Sequence, residues 1–180
     1  MRKYLKKYLI TALVMVFLLC CGGMTEYAAY TYDDSVYFSD SVWRNTETGY
    51  EVYMDDQAEL LTPVEEEQLL ETLKEITMYG HVAFVSINEN NYYNSERYID
   101  EYYFQHFGYE SGTVFLIDMD YREIWIHSNG DIYKTVTTSY ANTITDNVYS
   151  YASDKDYLSC ASVAFEQAND LLEGRRIAQP

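Results

Sequence analysis

One run constrains the fold of this chain more than any other. His81 to Ile87, HVAFVSI, is β-branched and apolar, with none of the alternation that a half-exposed strand shows. It follows Gly80 and gives way to the polar stretch Asn88 to Asn94. Such a run reads as a buried strand. The segments on either side supply its cover. Thr62-Pro63-Val64-Glu65 is a capping-box pattern, in which the Thr62 hydroxyl accepts from the third helical N–H and Glu65 reaches back. Pro63 suits the first helical position. The helix it opens runs to about Tyr79, with Leu69, Leu70, Leu73 and Ile76 on one face. A second helix covers Ser95 to Phe107, with Ile99, Tyr102, Tyr103 and Phe107 inward and Gly108 closing it.

Tyr50 to Asp55 reads as a first short strand, just after the boundary residue Gly49. Thr113 to Met119 is a third strand, Asp120-Tyr121 a turn, and Arg122 to Ser128 a fourth strand that completes a hairpin. Two helices follow, Thr138 to Ala152 and Asp156 to about Glu173, separated at Ser153-Asp154. The order β-α-β-α-β-β-α-α makes this an α/β protein with a central mixed β-sheet flanked by helices on both faces.

The amino terminus has a different character. Arg2, Lys3, Lys6 and Lys7 precede an apolar run, Tyr8 to Leu19, that is short for a membrane span. This is the pattern of a secretory signal peptide or membrane anchor over residues 1–23. Cys21-Gly22-Gly23 offers small residues for cleavage, and Tyr27-Ala28-Ala29 a second place. Lipidation at Cys20 or Cys21 lacks the small preceding residue it requires. Either route puts the domain outside the cytoplasmic membrane, and the membrane is met only through this segment. Residues 24–48, rich in Tyr, Ser, Thr, Asp and Glu, read as a flexible spacer. The domain proper covers 49–174, and 175–180 is a tail.

Charge excludes one large class of partner. The net charge is −17, and four of the 12 basic residues stand before the first acid, Glu26. So acidic a body repels a phosphate backbone, which leaves no place for nucleic acid. A protein partner fits better, because 21 tyrosines give contact area with few rotatable bonds. Cys160 alone lies beyond the leader and sits on the apolar stripe of the last helix, so it reads as a buried, inert thiol. No phosphate loop, nucleophile elbow or zinc pair is present, and His81, His106 and His127 lie on separate elements. No catalytic residue or organic cofactor is indicated. Carboxylates at strand ends remain: Asp55-Asp56, Glu110 and Asp131. Gathered at one rim of an open sheet, Asp56, Glu110 and Asp131 would suit a hard cation such as calcium.

The order of several short motifs is specific. Asp56-Gln57-Ala58-Glu59-Leu60-Leu61 before a capped acidic helix resembles the opening signature of TPM domains. Phe107-Gly108-Tyr109, then Ser111-Gly112-Thr113-Val114-Phe115-Leu116, then Met119-Asp120-Tyr121-Arg122 and Ile124-Trp125-Ile126 resemble its later elements in sequence. The resemblance implies an extracytoplasmic or lumenal domain. In that family some members are described as acid phosphatases, some bind calcium at a carboxylate cluster, and others assist membrane complexes. This chain departs from the pattern at Ser111, at Gly130-Asp131-Ile132 and at Thr137-Thr138, where oxygen ligands or a glycine are missing. Two readings therefore stand: an interaction or assembly module with an eroded metal site and at most weak calcium binding, or a metal-dependent acid phosphatase.

Overall fold

The computed structural model describes residues 40–179. The proposed export segment and most of the spacer lie outside them. Five strands form one sheet in the order β1-β2-β3-β4-β5. These are β1 (Trp43–Arg44), β2 (Glu51–Asp56), β3 (His81–Ile87), β4 (Gly112–Asp118) and β5 (Glu123–Asn129). β2, β3 and β4 run parallel, while β1 and β5 are antiparallel additions at the two edges. The helices are α1 (Pro63–Ile76), α2 (Ser95–Phe107), the short α3 (Gly130–Tyr133), α4 (Thr138–Ser153) and α5 (Tyr157–Leu172). The sheet is mixed and covered on both faces, as the element order requires.

Alternation along the strands divides the core in two. Val82, Phe84, Phe115 and Ile117 face α1, α4 and α5, where Leu69, Leu73, Ile144, Val148 and Phe165 are buried. Ala83, Val85, Val114 and Leu116 face α2, where Ile99, Tyr102, Tyr103 and Phe107 close the second layer. Each large apolar side chain buried this way stabilises the fold by about 1.5–3 kcal/mol. β3 and β4 are buried at every residue, which is why their sequences do not alternate. Cys160 lies in the first layer, and burial pushes its thiol up to about 12, so it carries no nucleophile.

The structure departs from the sequence reading in three places. Ordered structure begins before Gly49: Trp43 pairs with Val52, and the Asn45 side chain accepts from the backbone of Glu47 and Thr48, folding this stretch back. The first helix stops at Ile76 instead of Tyr79. There the Thr77 hydroxyl turns back to the Lys74 carbonyl, while Thr48 caps the Thr77 carbonyl. The third difference is α3, whose four residues are too few for a periodic signal.

Candidate functional site

In an open α/β sheet the natural ligand site is the rim at the carboxyl ends of the parallel strands. Here β2, β3 and β4 end at Asp56, Ile87 and Asp118. Four aspartates border this rim: Asp55, Asp56, Asp118 and Asp120.

Asp56 organises the loop into α1. Its carboxylate accepts from the backbone N–H of Leu60 at 3.1 Å and of Leu61 at 2.8 Å, and from the Ser86 hydroxyl. The Ser86 oxygen in turn accepts from Ala58 N–H at 3.0 Å. The spacing Asp56-x-Ala58-x-Leu60-Leu61 is thereby explained: one carboxylate gathers the donors of a loop whose Glu59 adopts a left-handed backbone.

Asp118 does the same work between two loops. One oxygen accepts from the N–H groups of Asp120 at 2.9 Å and Tyr121 at 3.1 Å, holding the β4–β5 turn. The other accepts from Asn90 Nδ2 at 2.6 Å and Ser95 Oγ at 2.8 Å, holding the β3–α2 loop. Asp120 adds a bond from Asn90 N–H at 3.0 Å. Neither Asp118 nor Asn90 was singled out from the sequence. The available signal was a carboxylate closing the apolar run Val114-Phe115-Leu116-Ile117, where a charge must find partners.

Asp55 points to the α2 side and is 5% exposed. Burial raises its carboxyl above the usual range and the Asp56 charge adds to this, while a 3.0 Å bond from Gln57 Nε2 opposes it. Its folded state therefore holds a proton more firmly than the unfolded chain. That contribution to stability is present below the ordinary carboxylate range and is lost as pH rises through the raised value. At neutral pH the buried charge is a cost. Asp55→Asn keeps an oxygen for Gln57 and removes the charge, so it is expected to melt higher than the parent at pH 7. The gap should close on acidification, as thermal melts between pH 4 and 8 would record. An equal melting temperature throughout would contradict the assignment.

The three carboxylates expected to converge do not. Glu110 precedes β4 and Asp131 follows β5, and Gly112 pairs with Asn129, so these two share the opposite rim. It lies about 20 Å from Asp56 along the strands. The reason is direction: β5 returns antiparallel, and Glu110 stands at the beginning of its strand. Glu110 meets His81 Nε2 at 3.0 Å, whose Nδ1 accepts from Glu51 N–H at 3.1 Å, which makes Nε2 the donor. Asp131 pairs with Lys134 Nζ at 2.6 Å on the surface. At Ser111 the hydroxyl donates to the Tyr79 carbonyl and accepts from Ile132 N–H.

Calcium wants six to eight oxygens. The oxygens of Asp56 and Asp118 already accept from the protein's own donors, and Asp131 and Glu110 stand at the far rim. Among the described residues no three His, Cys, Asp or Glu side chains are arranged to hold a metal ion. Asp56, Glu110 and Asp131 therefore do not form one calcium site.

The family model for the TPM domain matches residues 54–171. The chain belongs to the TPM domain family. Solved structures share the fold at low identity. The N-terminal domain of a P. gingivalis protein is 15% identical with a TM-score of 0.60, over 68% of this chain and 82% of that one. The BA42 protein of the psychrophile Bizionia argentinensis is 11% identical with a TM-score of 0.54, over 64% and 83%. The N-terminal domain of a Corynebacterium glutamicum protein is 10% identical with a TM-score of 0.56, over 73% and 86%. No curated protein matches the chain. At such identities these TPM domain relatives speak for the fold alone.

Proposed function

We propose that this TPM domain is a non-catalytic interaction or assembly module working outside the cytoplasmic membrane. One observation carries the reading: the carboxylates at the ligand rim serve the protein's own backbone and side chains. Asp56 accepts from three donors and Asp118 from four. A cation or a phosphate ester would have to displace that network. Aromatic surface supports the same reading, since Tyr93, Tyr109 and Tyr149 are 90%, 88% and 62% exposed. The export half of the proposal rests on residues 1–23. Among the described residues no helix is long and apolar enough to cross a membrane.

A metal-dependent phosphatase is the second reading, favoured by the buried Asp55 beside Asp56 at that same rim. Chromogenic phosphate ester hydrolysis by the full chain, with millimolar calcium or with chelator, separates the two. The expected result is no turnover above buffer and no shift in melting temperature with calcium. A ligand present at 100 times its Kd would stabilise by about 2.7 kcal/mol, enough to shift melting by several degrees. Chelator-sensitive hydrolysis, or a calcium shift abolished by Asp56→Ala, would replace the interaction reading. Fractionating cells that express the full chain tests export, and an entirely cytoplasmic product would remove it.

A further inference from the structure

Among the described residues β5 is the last strand of the sheet, and its outer edge faces a cleft instead of another strand. The hydrogen-bond phase of this edge follows from its neighbours. Met119 N–H donates to the Ile87 carbonyl and His81 N–H to the Ser111 carbonyl, so odd-numbered residues of β4 face β3. Even-numbered Val114, Leu116 and Asp118 therefore face β5, where they stand opposite His127, Trp125 and Glu123. Ile124, Ile126 and Ser128 are left to turn N–H and C=O outward. Proteins usually blunt such an edge with proline, lysine or a very short strand. β5 has seven residues, EIWIHSN, with neither. The opposite edge, by contrast, ends in the two-residue β1.

Helices rise on both sides of this edge. α2 packs on the Trp125 face and α4 on the Ile124 and Ile126 face. Between them lies a cleft of about 360 Å³ along the strand. Its α4 wall carries Ala141, Thr145 and the exposed Tyr149. Its α2 wall carries Glu96 and Asp100, and Glu123 and Asp146 add two more acids. Against these four stand Arg122 and His127, and His127 is held by Asp100 at 2.6 Å.

We infer that β5 is a strand-addition site for an extended, basic segment of a partner protein. The docked strand would exchange backbone bonds with Ile124, Ile126 and Ser128. Its side chains alternate, so basic residues would face Glu96 and Asp100 on α2, and apolar ones would face Ala141 and Tyr149 on α4. Charge complementarity selects this occupant. A second copy would bring the acids of both clefts together. The chain's own residues 24–48 are acidic too, with Glu26, Asp33, Asp34, Asp40 and Glu47. This inference rests on the interaction reading and names its surface and partner class.

The test uses the full chain and a capped octapeptide of alternating lysine and valine, with amide hydrogen exchange as the readout. The amides of Ile124, Ile126 and Ser128 are expected to slow at least tenfold with peptide, while those of Trp125 and His127, already bonded to β4, do not change. Methylating alternate backbone nitrogens of the peptide should remove the effect. Glu96→Lys, an exposed position, should weaken binding at least fivefold at low salt with the fold intact by melting. The site is refuted if those three amides do not slow, if a glutamate–valine peptide slows them equally, or if they slow with protein concentration alone, which would mean self-pairing. Each of these outcomes removes the docking surface only. Phosphate ester hydrolysis would overturn the interaction reading itself, whatever the peptide does.

Discussion

Asp118→Ala is expected to destabilise the domain by about 3–5 kcal/mol and to lower its melting temperature by roughly 10 °C or more. The carboxylate is 1% exposed and accepts from four donors on two loops. Alanine leaves the Asn90 amide and the Ser95 hydroxyl without their acceptor, and both side chains are themselves buried. Each orphaned buried donor costs about 1–3 kcal/mol. The turn donors at Asp120 and Tyr121 lie nearer the surface and find water more easily. Asp118→Asn keeps one oxygen but sets an amide against donors, so it should fall between alanine and the parent. Asp131→Ala is the contrast, because its partner Lys134 and its own carboxylate are both on the surface, and no measurable change in melting is expected there. Urea denaturation of the three variants checks the order. A small effect at Asp118 would mean that the loops are held by other contacts and that the aspartate is available for a ligand.

The contrast between Asp118 and Asp131 also shows where sequence reading stops. Elements came through because their signals are local: the capping box at Thr62 is present, with Thr62 N–H bonded to Glu65 at 2.7 Å, and Ile99, Tyr102, Tyr103 and Phe107, the residues its spacing picks out, are inward on α2, joined by Tyr98. Asp56 was legible as a strand-end carboxylate within a recognisable motif. Its partners were not, because Ser86 comes from a neighbouring strand and that adjacency is a product of the sheet order. The failure at Glu110 and Asp131 has the same origin. A strand end can lie at either rim, and only the direction of each strand decides which one. Asp118 was hidden for the opposite reason: it follows an apolar run inside the expected strand Thr113 to Met119, so it reads as an ordinary strand residue until Asn90 and Ser95 are seen converging on it. The open edge of β5 was also beyond the sequence, since nothing in EIWIHSN says that none of the described residues forms a sixth strand beside it.

Gly130→Ala is expected to cost about 3 kcal/mol. Gly130 has φ +65, a region where an L side chain costs about 1–2 kcal/mol. An added Cβ would also stand 2.6 Å from Ser111 Cα and 3.0 Å from both Ser111 N and Cβ. Backbone cannot rotate aside as a side chain can, so the two segments must separate, and forcing a methyl into such a contact typically adds 1–3 kcal/mol. Separation would stretch the bridge that Ser111 Oγ makes between the Tyr79 carbonyl and Ile132 N–H. Gly174 provides the control. Its φ is +77, the Arg175 N–H closes the end of α5 on the Asp170 carbonyl, and nothing lies within 4 Å of an added Cβ. Gly174→Ala should therefore carry the conformational cost alone, about 1–2 kcal/mol. The difference between the two alanine variants in urea denaturation measures the contact with Ser111, and faster exchange of the Ile132 amide in Gly130→Ala should accompany it. Equal losses at the two glycines would show that the backbone here yields freely. Gly130 would then need a reason other than packing, and a ligand at this rim would be the first to seek.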